Sequence, residues 1–177
     1  MVHFFIPEET ARERSREDRV PYVEWARGEP ACVTLTEGNI CDYDVVRDFV
    51  LRFCEQHAVK TVAIDRWNAA HLTTMLTGEG VNMVAFGQGF ASMSSPTKML
   101  EGLVAQRRLR HGGHNRCLNW QASCLEVRRD DADNIKPTKR NSSSTSRIDG
   151  MVALIMALGV ASADPRPEVT EPLLMVL

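Results

Sequence analysis

Apolar positions along the chain switch between two spacings, and the switches mark the elements. From Val45 to Cys54 the residues Val45, Val46, Phe49, Val50, Phe53 and Cys54 recur every three or four positions, which predicts a helix with one apolar face. Asp42 is placed to cap its start, and the helix should end near His57. The β-branched run Lys60 to Ile64 then reads as a short buried strand with Asp65 at its carboxyl end. Asn68 to Leu76 returns to helical spacing and is closed by Gly78 and Gly80, and Val81 to Phe86 is a second apolar run. Strand, helix, strand at this spacing predicts a parallel βαβ unit and an α/β fold.

The flanks are punctuated more heavily. Val2 to Ile6 reads as a strand ended by Pro7, and Thr10 to Asp18 as a polar surface helix. Val20 to Arg27 carries Tyr22, Val23 and Trp25 before the turn residues Gly28 and Pro30, and Val33 to Thr36 is extended. After Gly87 and Gly89, Ser94 or Ser95 should cap a helix with Pro96 near its first position and Met99, Leu100, Leu103 and Val104 on its core face. Asn115 to Cys124 is helical. Leu125 to Arg129 and Asn134 to Lys136 form a hairpin turned by Asp130 to Asp133. Ser146 and Asp149 fit a capping box before an apolar helix from about Ile148 to Ala161. Residues 1–163 are expected to form the domain, and 164–177, with three prolines, a flexible tail.

Composition narrows the class. With 177 residues, 44% hydrophobic and 25% charged, the chain suits one globular domain with a real core. The run Met151 to Ala163 is too short to span a bilayer, and no signal-peptide pattern opens the sequence. Five cysteines without such a signal predict reduced thiols in a cytoplasmic protein, with Cys32, Cys41 and Cys54 as small buried residues. The net charge of −2 conceals a division: −5 over residues 1–97, +6 over 98–147 and −3 over 148–177. The basic middle is where a polyanion would bind.

Two carboxylates stand out by position. Asp65 follows an apolar strand, where open α/β sheets place their sites; the competing role is a helix cap. Asp149 sits in the first turn of the most apolar helix, where its charge suits the helix end; capping is again the competing role. Two carboxylates distant in sequence and meeting at a sheet rim would suit a hard divalent cation. Lys136, Lys139, Arg140 and Arg147 surround the serine-rich loop before Asp149 and could hold a phosphate backbone. His111, His114, Cys117 and Cys124 are zinc-ligand types, although Cys117 and Cys124 share a helix face and should pack in the core. The Gly78/Gly80 and Gly87/Gly89 pairs make neither a P-loop nor a dinucleotide fingerprint, and no GxSxG elbow is present.

Taken in order, FIPEET, VPYVEWARGEP, the YDVV helix, VAIDRWNA, FGQGFASMSSPTKMLE, NRCLNW, NIKPTKRNSSSTSRIDG and MVALIMAL resemble the C-terminal nuclease domain of tailed-bacteriophage terminase large subunits, from about Phe4 to Ala161. The resemblance implies an RNase H-like mixed sheet flanked by helices. It implies an acidic cluster holding Mg2+ or Mn2+, with Asp65 and Asp149 as metal-binding catalytic residues, and cutting of concatemeric double-stranded DNA by two-metal phosphodiester hydrolysis. Lys136, Lys139, Arg140 and Arg147 would lie near DNA. The implied setting is the bacterial host cytoplasm. The implied partners are DNA, the small terminase subunit, the portal protein and an upstream terminase fragment, with no membrane.

The family pattern opens with a strand bearing the first metal-binding Asp. This chain starts at about the third strand, so that carboxylate has no matching position, and a sheet edge would be left unpaired. Two other readings follow. The chain is a non-catalytic fragment that binds DNA or another terminase piece, or it is a zinc-stabilised module built on His111, His114, Cys117 and Cys124.

Overall fold

The computed structural model describes residues 2–65, 70–111, 115–140 and 145–163. The chain runs β1 (Phe4–Pro7), α1 (Glu8–Asp18), α2 (Tyr22–Arg27), β2 (Val33–Thr36), α3 (Tyr43–Gln56), β3 (Val62–Asp65), α4 (Ala70–Gly78), β4 (Met83–Phe86), α5 (Phe90–Ala105), α6 (Arg116–Ser123), β5 (Leu125–Arg129), β6 (Ile135–Lys139) and α7 (Asp149–Ala163). The expected tail lies outside the described residues.

The strands form three two-stranded ladders. β1 and β2 are parallel, with Phe4 opposite Val33; β3 and β4 are parallel, with Asp65 opposite Phe86; β5 and β6 are antiparallel, with Arg128 opposite Lys136. The predicted βαβ unit is therefore β3–α4–β4, and the predicted hairpin is β5–β6. One continuous mixed sheet is not formed among the described residues, because β1 and β3 pair only with their own partners.

Burial concentrates in two clusters. One joins Ile6, Ala11, Tyr22, Trp25, Cys32, Val33 and Cys117, with Trp120 packed against it. The other joins Met93, Leu100, Leu118, Met151, Ile155 and Met156 and reaches Phe4, Ala63 and Phe86. Helix α7 is the post of this second cluster, lying against α5, α6 and β3.

Several expectations change for identifiable reasons. Asp42 does cap α3, accepting the Asp44 N–H at 2.8 Å. The run expected to be a buried strand is half-buried at all four residues of β3, and Val62 and Ala63 border a groove. α5 begins at Phe90 with extended Gly89 before it, so neither Ser94 nor Ser95 caps it, and Pro96 lies inside the helix. Ser94 is buried and accepts the Ile135 N–H at 3.2 Å, so it ties α5 to β6. α7 begins at Asp149, and the Ile148 carbonyl accepts the Val152 N–H at 2.9 Å, so Ser146 lies too early to cap it. Cys32 is buried as expected, but Cys41 and Cys54 are half-buried.

Candidate functional site

Asp65 ends β3, and its position follows from the strand: the parallel ladder fixes the backbone opposite Phe86. Two residues beyond Phe86, Gln88 reaches back and its Nε2 donates to Asp65 Oδ2 at 3.0 Å. The bond links the ends of two adjacent strands through the Asp65 carboxylate. The alternative cap role for Asp65 falls on residues 66–69, outside the described residues.

Asp149 is exposed as the first residue of α7. The first amides of a helix need partners from elsewhere. Here Gly150 N–H is buried and donates to Gln121 Oε1 of α6 at 2.6 Å, so a side chain from another helix acts as the cap. Two residues before Asp149, Arg147 donates through Nε and Nη2 to the two carboxylate oxygens of Asp18, both at 3.0 Å. Tyr22 Oη donates to Asp18 Oδ2 at 2.8 Å. The Asp18 side chain is 1% exposed, whereas that of Arg147 is 34% exposed. Burial first, and then the Asp18 hydrogen bond, push the Tyr22 phenol well above its ordinary range, so it stays a donor. These groups line a cavity of about 230 Å³ together with Arg14 and Asp149; Asp65 is not one of its lining residues.

The predicted basic residues divide by environment. Arg147 spends two of its donors on Asp18. Lys136 Nζ stands 5.1 Å from the centre of the Phe90 ring and so braces the hairpin on α5. Lys139 ends β6, and exposed Arg140 follows it, at 3.4 Å from Glu126 in a solvent-facing pair. Such a pair holds its partner weakly and leaves the guanidinium exchangeable.

The oxygen chemistry of Asp65 and Asp149 suits Mg2+ or Mn2+. Their number is short: among the described residues no three His, Cys, Asp or Glu side chains are grouped to hold a metal ion. The zinc arrangement is not assembled among them either. His114 lies outside the described residues, Cys117 and Cys124 are buried, and the Cys117 thiol is pushed up to about 12 by burial and by Cys32. A thiol held protonated is a poor zinc ligand.

Sequence reasoning missed Gln88, Gln121 and Asp18. Gln88 was findable: it follows the strand that neighbours β3, at the same sheet end. Gln121 and Asp18 act across more than a hundred residues or between separate helices, and no local pattern marks them.

Comparison with known proteins places the chain in a family. Residues 1–164 match the model described as terminase large subunit, endonuclease domain. The terminase large subunit of Enterobacteria phage HK97 is 35% identical over 95% of this chain and 32% of its own length. Protein YmfN of Escherichia coli K12 is 29% identical over 89% of this chain and 35% of its own. The crystal structure of the HK97 large terminase superposes with a TM-score of 0.77 at 34% identity, covering 88% of this chain and 32% of that one. The chain thus spans about a third of the length of each relative it matches.

Proposed function

The chain belongs to the terminase large subunit endonuclease-domain family, and from that premise we propose that it is a metal-dependent DNA endonuclease domain of RNase H-like type acting on concatemeric phage DNA in the host cytoplasm. The observation that carries the reading is Asp65, a carboxylate fixed at the end of a parallel strand and oriented by Gln88. Asp65 and Asp149 would hold Mg2+ or Mn2+, with the remaining ligands coming from outside the described residues. Such a cation supplies activation of water and neutralisation of charge at the phosphate.

The chain's own residues do the rest. Gln88 keeps one Asp65 oxygen engaged and leaves its orientation set before DNA arrives. Gln121 and the Arg147–Asp18 pair hold the start of α7, and so the backbone of Asp149. Lys139 and Arg140 at the end of the hairpin meet the phosphate backbone without reading bases, which makes affinity steeply dependent on salt. Lys136 and Arg147 lie in the same basic region, each partly engaged within the protein.

Cation binding is tested by Mn2+-induced broadening of amide resonances. Broadening is expected around Asp65 and Asp149, and each Asp→Ala variant should lose it at its own position. No broadening at either would remove the metal reading. A second reading is favoured by the absence of three grouped ligands among the described residues: a DNA-binding fragment without its own cutting chemistry. Retained DNA binding without Mn2+ broadening is its signature.

A further inference from the structure

The cavity of about 230 Å³ beside Asp149 is lined by the apolar residues Phe4, Phe5 and Ile6 of β1 and by polar residues of α1, α2, α6 and the start of α7. Part of the polar lining is satisfied within the protein. The two oxygens of Asp18 take Tyr22 Oη and two nitrogens of Arg147. Gln121 Oε1 takes the Gly150 amide at 2.6 Å. The nitrogen of the same side chain is poorly served. Among the described residues its one partner is Cys117 Sγ at 3.9 Å, a weak acceptor at long range. Gln121 is 3% exposed, and a buried amide donor left in that state costs free energy.

Two charges on the cavity are also unspent. Arg14 stands on α1 one turn before Asp18 and is exposed. Asp18 pairs with Arg147 instead, and among the described residues Arg14 makes no ion pair and no side-chain hydrogen bond. Asp149, which lines the same cavity, makes none either. A guanidinium and a carboxylate that share a cavity without meeting suit a ligand of both signs, with an anionic oxygen for Arg14 and a hard cation for Asp149. A phosphodiester with its counter-cation has that form.

We propose that this cavity seats a non-bridging oxygen of a DNA phosphate, held by Arg14 and by the Gln121 Nε2 amide beside Asp149. The planar guanidinium offers paired donors to phosphate oxygens. Gln121 then serves two ends: its Oε1 holds the start of α7 and its Nε2 donates to the phosphate, so one side chain sets the phosphate against the Asp149 backbone. Arg147 keeps Asp18 neutralised, so the incoming anion meets no uncompensated charge there. The apolar lining from β1 strengthens these bonds by lowering the local dielectric. Arg14 comes from residues 1–97, which carry a net charge of −5, so charge along the sequence points away from it and only the fold brings it to Asp149. The inference rests on the reading of the chain as a domain that acts on DNA, and adds a phosphate contact from α1 to those of the hairpin.

The test uses the full 177-residue chain in EDTA and reads binding of a short DNA duplex across a salt series. Arg14→Ala should weaken binding about fivefold to tenfold and lower the slope of log affinity against log salt by about one, with the unfolding midpoint unchanged. Arg14→Lys should restore the slope with the charge, and recover only part of the affinity without the planar fork. The duplex should shift the Gln121 side-chain amide resonances in the wild type, and Arg14→Ala should remove that shift. Inorganic phosphate should move the same resonances only at far higher concentration than the duplex. The proposal is overturned if Arg14→Ala leaves affinity and slope unchanged, or if the duplex leaves the Gln121 resonances in place. It is equally overturned if inorganic phosphate saturates them more readily than the duplex does, which indicates a site for the free anion. Nicking with Mn2+ is scored separately. A wild type that never nicks but shows the Arg14 dependence ends the nuclease reading and leaves this inference standing; nicking by a chain whose DNA binding ignores Arg14 does the opposite.

Discussion

At Asp18 three donors converge on a buried carboxylate: two from Arg147 and one from Tyr22. Truncating one partner of such a group strands the other in a poorly solvated place, and the partial exposure of Arg147 moderates the effect. Asp18→Ala should therefore lower stability by roughly 2 kcal/mol, read as a shift in the urea midpoint at unchanged slope. Arg140→Ala should do the reverse, leaving the midpoint unchanged and weakening DNA binding. Its Glu126 pair is exposed and contributes little. His3 gives a pH signature. Burial holds its pKa below the ordinary 6.5, so the unfolded chain takes up a proton first as pH falls. Its contribution is intact above about 6.5 and is lost progressively below that value. Unfolding midpoints should fall between pH 7 and pH 5, and His3→Phe should flatten that part of the profile. The roles of Asp18 and His3 are not visible locally in the sequence, unlike that of Arg140: Asp18 reads as the end of a polar surface helix, and His3 as a residue of an unremarkable strand.

Helix α7 is the element on which the candidate site depends. It approaches its neighbours closely at two glycines. A Cβ at Gly150 would lie 2.5 Å from the Phe4 ring, and one at Gly159 2.7 Å from the Phe86 ring. Gly159→Ala should thus cost about 1–3 kcal/mol through overpacking, despite alanine's better helix propensity, measured by thermal or urea unfolding. The existence of α7, α3 and the hairpin was legible, because period and turn chemistry are local. Asp130 illustrates the turn: its Oδ1 accepts the Ala132 and Asn134 amides at 3.0 and 2.8 Å, as Asp in a turn is expected to do. The starts of α5 and α7 were misread because tertiary partners overrode local caps. Ser94 serves β6, and at the start of α7 Gln121, a residue of another helix, takes the Gly150 amide, where a local capping box at Ser146 and Asp149 was expected.

At the scale of the molecule, the parallel βαβ unit and the basic middle followed from pattern and charge alone. The separation of the strands into three ladders did not, because periodicity says which faces are apolar and nothing about which edges meet. The same holds for the site. Asp65 and Asp149 are candidates by their places at a strand end and a helix start, while Gln88, which bonds Asp65, and Gln121, which takes the amide after Asp149, come from elsewhere in the chain. DNA affinity should fall steeply with salt, and Lys139→Ala or Arg140→Ala should each reduce the slope of log affinity against log salt by about one. The central claim is tested most directly by plasmid nicking with Mn2+ and with EDTA, using the wild type, Asp65→Ala and Asp149→Ala side by side. Nicking that requires metal and disappears in both variants, with DNA binding retained, is the expected result. Nicking that persists in either variant or in EDTA, or no nicking by folded, DNA-binding wild type, would contradict it.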